Sequence, residues 1–124
     1  MKVLVLEDNP EHREYLFEVF RALGMHVASA VTPIEAVRLA RAERPDLVVV
    51  DIRLRTGDGR DAARWLKDRP ETANIPVLAV TALPDSARAD CLAAGCDEFL
   101  RKPFRVHELA TVVQTLLPAC IPTN

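Results

Sequence analysis

The sequence predicts an α/β fold in which a parallel sheet carries helices on both faces. Two observations lead there. Short apolar runs alternate with amphipathic helical segments, strand then helix, five times along the chain. That alternation calls for right-handed crossovers between parallel strands. The run Leu47-Val48-Val49-Val50 also has no polar face, as expected of a strand buried on both sides. A chain of 124 residues fits one domain, residues 1–124, with residues 119–124 as a short tail. That size supports a core without disulfide or metal staples.

Each element has its own signal. Lys2 to Leu6 is an apolar strand closed by Glu7-Asp8. Asn9-Pro10 supplies an N-cap and a proline at the first helical position. The helix that follows presents Tyr15, Leu16, Val19, Phe20 and Leu23 on one face and stops at Gly24. Met25 to Ala30 is a second strand, diluted by Ala and Ser. Thr32-Pro33-Ile34-Glu35 reads as a capping box, and its helix turns Ala36, Val37 and Ala40 inward before ending at Pro45.

The third strand spans 47–51, and Ile52 to Gly59 reads as a loop. A helix over about 60–68 presents Ala62, Trp65 and Leu66 at i, i+3 and i+4, with Trp65 as a packing residue. Val77-Leu78-Ala79-Val80 is a fourth buried strand ending in Thr81. Pro84-Asp85 opens an Ala-rich helix that stops at Gly95. Glu98 to Arg101 is the fifth strand, ending at Lys102-Pro103. A last helix over about 106–117 carries Val106, Leu109, Val112, Val113 and Leu116 on one side.

Composition narrows the function classes. A net charge of −2 without blocks of like charge gives no field for nucleic acid or an anionic membrane. Cys91, Cys96 and Cys120 are odd in number and lack metal-ligand spacing, so they read as neutral thiols. His12, His26 and His107 sit on different elements without partner spacing and read as surface or strand histidines. The apolar start is too short for a signal peptide, and no segment nears the roughly 20 apolar residues of a membrane span. A cytoplasmic protein with reduced thiols is the expectation.

The polar residues that follow the strands converge. Glu7 and Asp8, Asp51, Thr81 and Lys102 all fall at the carboxyl edge of the sheet, where ligands collect in open α/β folds. Three carboxylates in one place repel unless a cation joins them. Oxygen-only ligands with room for water suit Mg²⁺. The Thr81 hydroxyl and the Lys102 ammonium are donors of the kind a phosphoryl group needs.

From Lys2 to about Leu117 the chain resembles the receiver domain of bacterial two-component response regulators. The matching residues are Glu7-Asp8, Asp51, Gly59, Thr81-Ala82 and Lys102-Pro103-Phe104. The resemblance implies a flavodoxin-like sheet of strand order 2-1-3-4-5 with five helices. It implies that Asp51 accepts a phosphoryl group from a phosphohistidine. Asp8 and Asp51 would bind Mg²⁺ with the backbone carbonyl of Arg53, and Glu7 would act through a coordinated water. Thr81 and Lys102 would hold the phosphoryl oxygens, and the Lys102-Pro103 bond would be cis. Phe99 would be the aromatic switch that turns inward as Thr81 moves.

The same resemblance implies a sensor histidine kinase or histidine phosphotransfer protein as donor and a downstream protein as target. No nucleic acid or membrane contact is expected of this domain. Readout would use the fourth helix, fifth strand and fifth helix. The chain would be a phosphoacceptor switch that assists its own phosphotransfer and dephosphorylation, not an enzyme in the ordinary sense. It would stand alone or form part of a larger regulator or hybrid kinase, as a monomer or weak dimer with Arg88, Asp97, Glu98 and Arg101 as a charged face.

Two positions depart from the commonest pattern. Arg53 is long and cationic and is expected to reach over the site and alter the lifetime of the phosphorylated state. Leu83 is apolar where a polar residue would help place water, which suggests slow hydrolysis. Two other classes share the architecture. A haloacid-dehalogenase-type phosphatase needs a second acid two residues after the nucleophile, where this chain has Arg53. A nucleotide or flavin site needs a Gly-rich first loop, where this chain has Glu7-Asp8-Asn9-Pro10-Glu11.

Overall fold

The structure is a computed structural model that describes residues 1–118; the tail 119–124 and its Cys120 lie outside the described residues. Numbered within the large sheet, the strands are β1 (Lys2–Leu6), β2 (His26–Ala30), β3 (Leu47–Val50), β4 (Val77–Thr81) and β5 (Glu98–Arg101). They alternate with α1 (Pro10–Ala22), α2 (Pro33–Glu43), α3 (Gly59–Lys67), α4 (Arg88–Ala94) and α5 (Val106–Leu116). The order across the sheet is β2-β1-β3-β4-β5, with every neighbouring pair parallel. This is the doubly wound order that the family resemblance implies, with β3 at the centre.

The two-residue repeat of a strand sorts the core into two layers. Val3, Val5, Val49, Leu78 and Val80 face Leu16, Val19 and Phe20 of α1 and Leu109 and Val113 of α5. Their neighbours Leu4, Leu6, Val48, Val50, Val77 and Ala79 point the other way, toward α2, α3 and α4. A strand flanked by both layers has no exposed face, so β3 tolerates only apolar residues.

Local chemistry sets most helix ends as expected. The Asn9 carboxamide accepts from the N–H groups of Glu11 and His12 at 2.9 and 3.2 Å, and Gly24 takes a left-handed φ of 81° after α1. At α2 the capping box takes a shifted form. Thr32 Oγ1 accepts from the Glu35 N–H at 3.1 Å, but the Glu35 carboxylate reaches past Thr32 to the N–H of Val31 at 2.7 Å.

Several expectations are corrected. Tyr15 lies at the surface, tilted against Phe104 with ring centroids 5.9 Å apart. Val106 is exposed too, and Leu23, Val112 and Leu116 are only partly buried. On α3 the inward arc is Gly59, Ala62, Ala63 and Leu66, an i, i+3, i+4, i+7 set that leaves Trp65 outside it and 40% exposed. The stretch after Asp51 is a small antiparallel ladder of Arg53–Leu54 with Gly57–Asp58, not an open loop. Arg55 and Thr56 make its turn, Gly57 follows with φ 147°, and the Thr56 hydroxyl donates to Val31 O at 2.7 Å. The Ala-rich helix begins as a single 3₁₀ turn, Asp85–Ala87, before α4. Asp97 belongs to the fold's own framework, accepting from Lys67 at 2.9 Å and from the Val77 N–H at 2.7 Å. Cys91 and Cys96 are buried and burial raises both thiols, Cys96 to about 12.

Gly59 shows how tightly α3 seats on the strand end that carries Asp51. Its N–H donates to Ile52 O at 2.9 Å, and a Cβ there would overlap the Asp51 carbonyl oxygen. Gly59→Ala is expected to lower stability by about 1–3 kcal/mol through backbone displacement. Urea unfolding should show a lower midpoint at unchanged slope, and an unaltered midpoint would refute the packing assignment.

Candidate functional site

Parallel strands all end on the same edge, and the acids that follow β1 and β3 therefore meet the lysine that follows β5. Glu7 is fully buried and Asp51 is 9% exposed. The Lys102 ammonium lies 2.6 Å from Glu7 Oε1 and 3.4 Å from Asp51 Oδ2. The other Glu7 oxygen accepts from the Asn9 N–H at 3.3 Å, so both oxygens of this buried acid are partnered. Asp51 Oδ1 accepts from the Arg53 N–H at 3.3 Å.

These groups border a cleft of about 240 Å³, to which Asp8, Arg53, Arg55 and Ala82 also contribute. The Asp8 carboxylate is engaged by the Arg55 N–H at 2.6 Å, which fastens the hairpin to the end of β1. Thr81, fully buried, closes β4, and its Oγ1 accepts from the Leu83 N–H at 3.3 Å. The Lys102-Pro103 peptide bond is cis. Phe99 is buried, with the Arg88 guanidinium 5.2 Å from its ring centroid. Every sequence-selected site residue except Phe99 thus lies on one edge, and Phe99 sits on the edge strand below it.

His12 is half exposed, as expected of a surface histidine, and it also borders the cleft, a neighbourhood that sequence reading missed. Its Nδ1 is 3.0 Å from Lys102 Nζ and 3.6 Å from Glu7 Oε1. An ammonium has only donors, so a hydrogen bond between the two uses the Nδ1 lone pair. The signal was available: His12 is the third residue after the Asn9 cap, and side chains in a first helical turn lean back toward the helix N-terminus. That start is the site. Glu7, His12 and Asp51 place one ligand atom each within 4.8 Å of one another.

Electrostatics single out Asp51. Burial pushes its carboxyl from the ordinary 3.8 up to about 6, Lys102 opposes the shift, and Glu7 adds to it. One ammonium facing two buried acids leaves the group short of positive charge. A small hard cation with oxygen ligands fits such a donor set, and an anion does not until that cation is present.

The arrangement is an acidic, cation-accepting cleft at the carboxyl edge of a doubly wound sheet. The chain belongs to the response regulator receiver domain family, whose description matches residues 3–114. It is 32% identical over 116 residues to the polar-differentiation response regulator DivK of Brucella anthropi, covering 93% of this chain and 94% of that protein. Among solved structures it is similar to the receiver domain of the sensor histidine kinase PA1611 of Pseudomonas aeruginosa, at 33% identity and a TM-score of 0.87. That similarity covers 95% of this chain and 98% of the other, and that protein has a magnesium ion coordinated in its active-site cleft. The receiver domain of a signal transduction histidine kinase from Syntrophus aciditrophicus matches at 33% identity and TM-score 0.85, over 99% of this chain and 94% of that one. The chain is thus a receiver domain of two-component signalling.

The raised carboxyl has a measurable consequence. Between pH 3.8 and about 6 the folded chain holds a proton on Asp51 that the unfolded chain has lost. Stability from this group is therefore complete at low pH and lost as pH rises through about 6. In chelating buffer, Asp51→Asn removes the charge at every pH and should stabilise the protein by on the order of 1–3 kcal/mol at pH 7.5. The gain should shrink toward zero near pH 4. Urea melts across this range test it, and a gain independent of pH would contradict the burial argument.

Proposed function

We propose that Asp51 is the phosphoryl acceptor of this receiver domain, taking the group from the phosphohistidine of a sensor kinase or phosphotransfer protein. The observation that supports this is the nearly buried Asp51 carboxylate, open to the cleft between Lys102 and Glu7. Glu7, Asp8, Asp51 and the Arg53 carbonyl are the oxygen ligands we assign to Mg²⁺. When bound, that ion would neutralise the acids and the charge on the phosphoryl oxygens.

An Asp51 carboxylate oxygen attacks phosphorus as the P–N bond to the donor imidazole breaks. The imidazole nitrogen keeps the electron pair and takes up a proton. The Lys102 ammonium exchanges a contact with Asp51 for one with a phosphoryl oxygen, and the Thr81 hydroxyl turns from the Leu83 N–H to donate to another. Positioning and charge do most of this work. The Phe99 ring is assigned the switch role; it lies on β5 opposite Ala79, two residues before Thr81 on β4. The face of α4, β5 and α5 would carry the readout to a downstream protein. Hydrolysis of the aspartyl phosphate by water resets the state, with Arg53 at the cleft and Leu83 beside it setting the rate. We further assign residues 1–124 to one receiver unit, acting in the cytoplasm as a monomer or weak dimer. No helix among the described residues is long and apolar enough to cross a membrane.

Incubation with Mg²⁺ and acetyl phosphate, followed by intact mass, tests the reading. The wild type should gain one phosphate, Asp51→Asn none, and Lys102→Ala should react about 10²-fold more slowly. Chelating the metal should abolish the gain. Equal phosphate on Asp51→Asn would refute the assignment, and continuous turnover of unrelated phosphomonoesters would favour a phosphatase. In the same assay Arg53→Ala should change the dephosphorylation half-life severalfold, and an unchanged half-life would remove Arg53 from the account.

A further inference from the structure

A groove of about 850 Å³ lies away from the phosphoacceptor cleft, between α2 and the end of α3. That size is within the range of pockets that hold ligand groups. Its floor is apolar: Ile34 is 61% exposed, Trp65 40% exposed, and Val37 lies beneath them. Its rim is cationic. Arg38 and Arg41 on α2 and Arg44, the left-handed residue just past its end, follow one another at three-residue spacing, and Arg69 approaches from the α3 side.

Charge complementarity inside the fold is incomplete there. Arg41 pairs with Glu71 at 3.0 Å, and Arg44 donates to the Arg41 carbonyl at 3.3 Å. Arg38 and Arg69 form no ion pair among the described residues. Four guanidinium groups thus face one carboxylate, on a chain whose net charge is −2. Exposed apolar area rimmed by one sign of charge is the form of a protein interaction site.

We propose that the α2–α3 groove docks an acidic, amphipathic segment of a partner protein. Its carboxylates would pair with the Arg38–Arg41–Arg44 row, and one large apolar side chain would rest on Ile34 and Trp65. Arginine suits carboxylates through bidentate hydrogen bonds, and a helix with acids one turn apart matches a row at three-residue spacing. Nucleic acid fits less well. A phosphate backbone longer than the groove would run past Asp61, which lines the adjoining groove with Ile34, Arg38 and Trp65.

Trp65 is the chain's single tryptophan, so its emission reports the groove directly. A random twelve-residue peptide library lacking tryptophan is selected on the full chain and counter-selected on the Arg38→Glu/Arg44→Glu double variant. Selection should enrich sequences with two or three acids around an apolar residue. An enriched peptide should shift Trp65 emission saturably, bind at least tenfold more weakly to the double variant, and weaken in 0.5 M salt. Arg64→Glu, outside the groove, should bind as the wild type does. The double variant should still gain one phosphate at Asp51, which shows that it folds and separates this test from that of the phosphoacceptor. No enrichment, enrichment without acidic bias, or equal binding by the double variant overturns the proposal. So does tighter binding of a twelve-nucleotide single strand or duplex at Trp65.

Discussion

One ammonium holds the working edge of this fold together. Lys102 reaches back across 95 residues to Glu7 and across 51 to Asp51, and so ties together the ends of β1, β3 and β5. A carboxylate as buried as Glu7 is costly unless a charge and hydrogen bonds compensate it. Lys102 has three N–H donors, and its neighbours offer three acceptors on Glu7, Asp51 and His12. The balance stops one charge short, with two acids to one base. That shortfall underlies the cation requirement proposed above and adds to the burial that raises the proton affinity of Asp51. Structural need and chemical readiness are the same imbalance seen from two sides.

Much of this was legible in the sequence because two rules act over short range. Apolar runs of four residues marked β1, β3 and β4, the alternation with helices marked the weaker β2 and β5, and a polar residue directly after a strand must lie at its carboxyl end. Glu7, Asp8, Asp51, Thr81 and Lys102 were readable on that ground alone. Helix faces were harder. Trp65 and Ala63 differ by less than one turn, and only the docking of α3 against the sheet shows that the small residue goes inward and the large one out. Tyr15 and Val106 fail for the same reason: each lies at the margin of an apolar arc whose centre is fixed by packing.

Residues whose roles depend on distant partners were not legible. His12 stands in the first turn of α1, which the sequence shows, but its meeting with a lysine 90 residues later follows from the entry angle of α1 in the fold. The hairpin after Asp51 looked like a loop because two-residue strands have no periodicity to detect. Its register depends on Gly57 and on a hydroxyl that ties its turn to the end of β2. Gly59 was selected by resemblance, and the structure supplies the reason for it, a backbone approach to Asp51 that leaves no room for a methyl group.

The division of the core by the sheet has a further consequence. Among the described residues, the core side chains of α1 and α5 fall in one cluster and those of α2, α3 and α4 in the other, with the five strands between the two layers as a partition. Close-packed interiors pass strain to whatever they touch, so a disturbance in one compartment is insulated from the other except around the strand tips. An event at the carboxyl edge is therefore well placed to address both compartments at once. Sequence drift within either compartment can proceed with little regard to its opposite number.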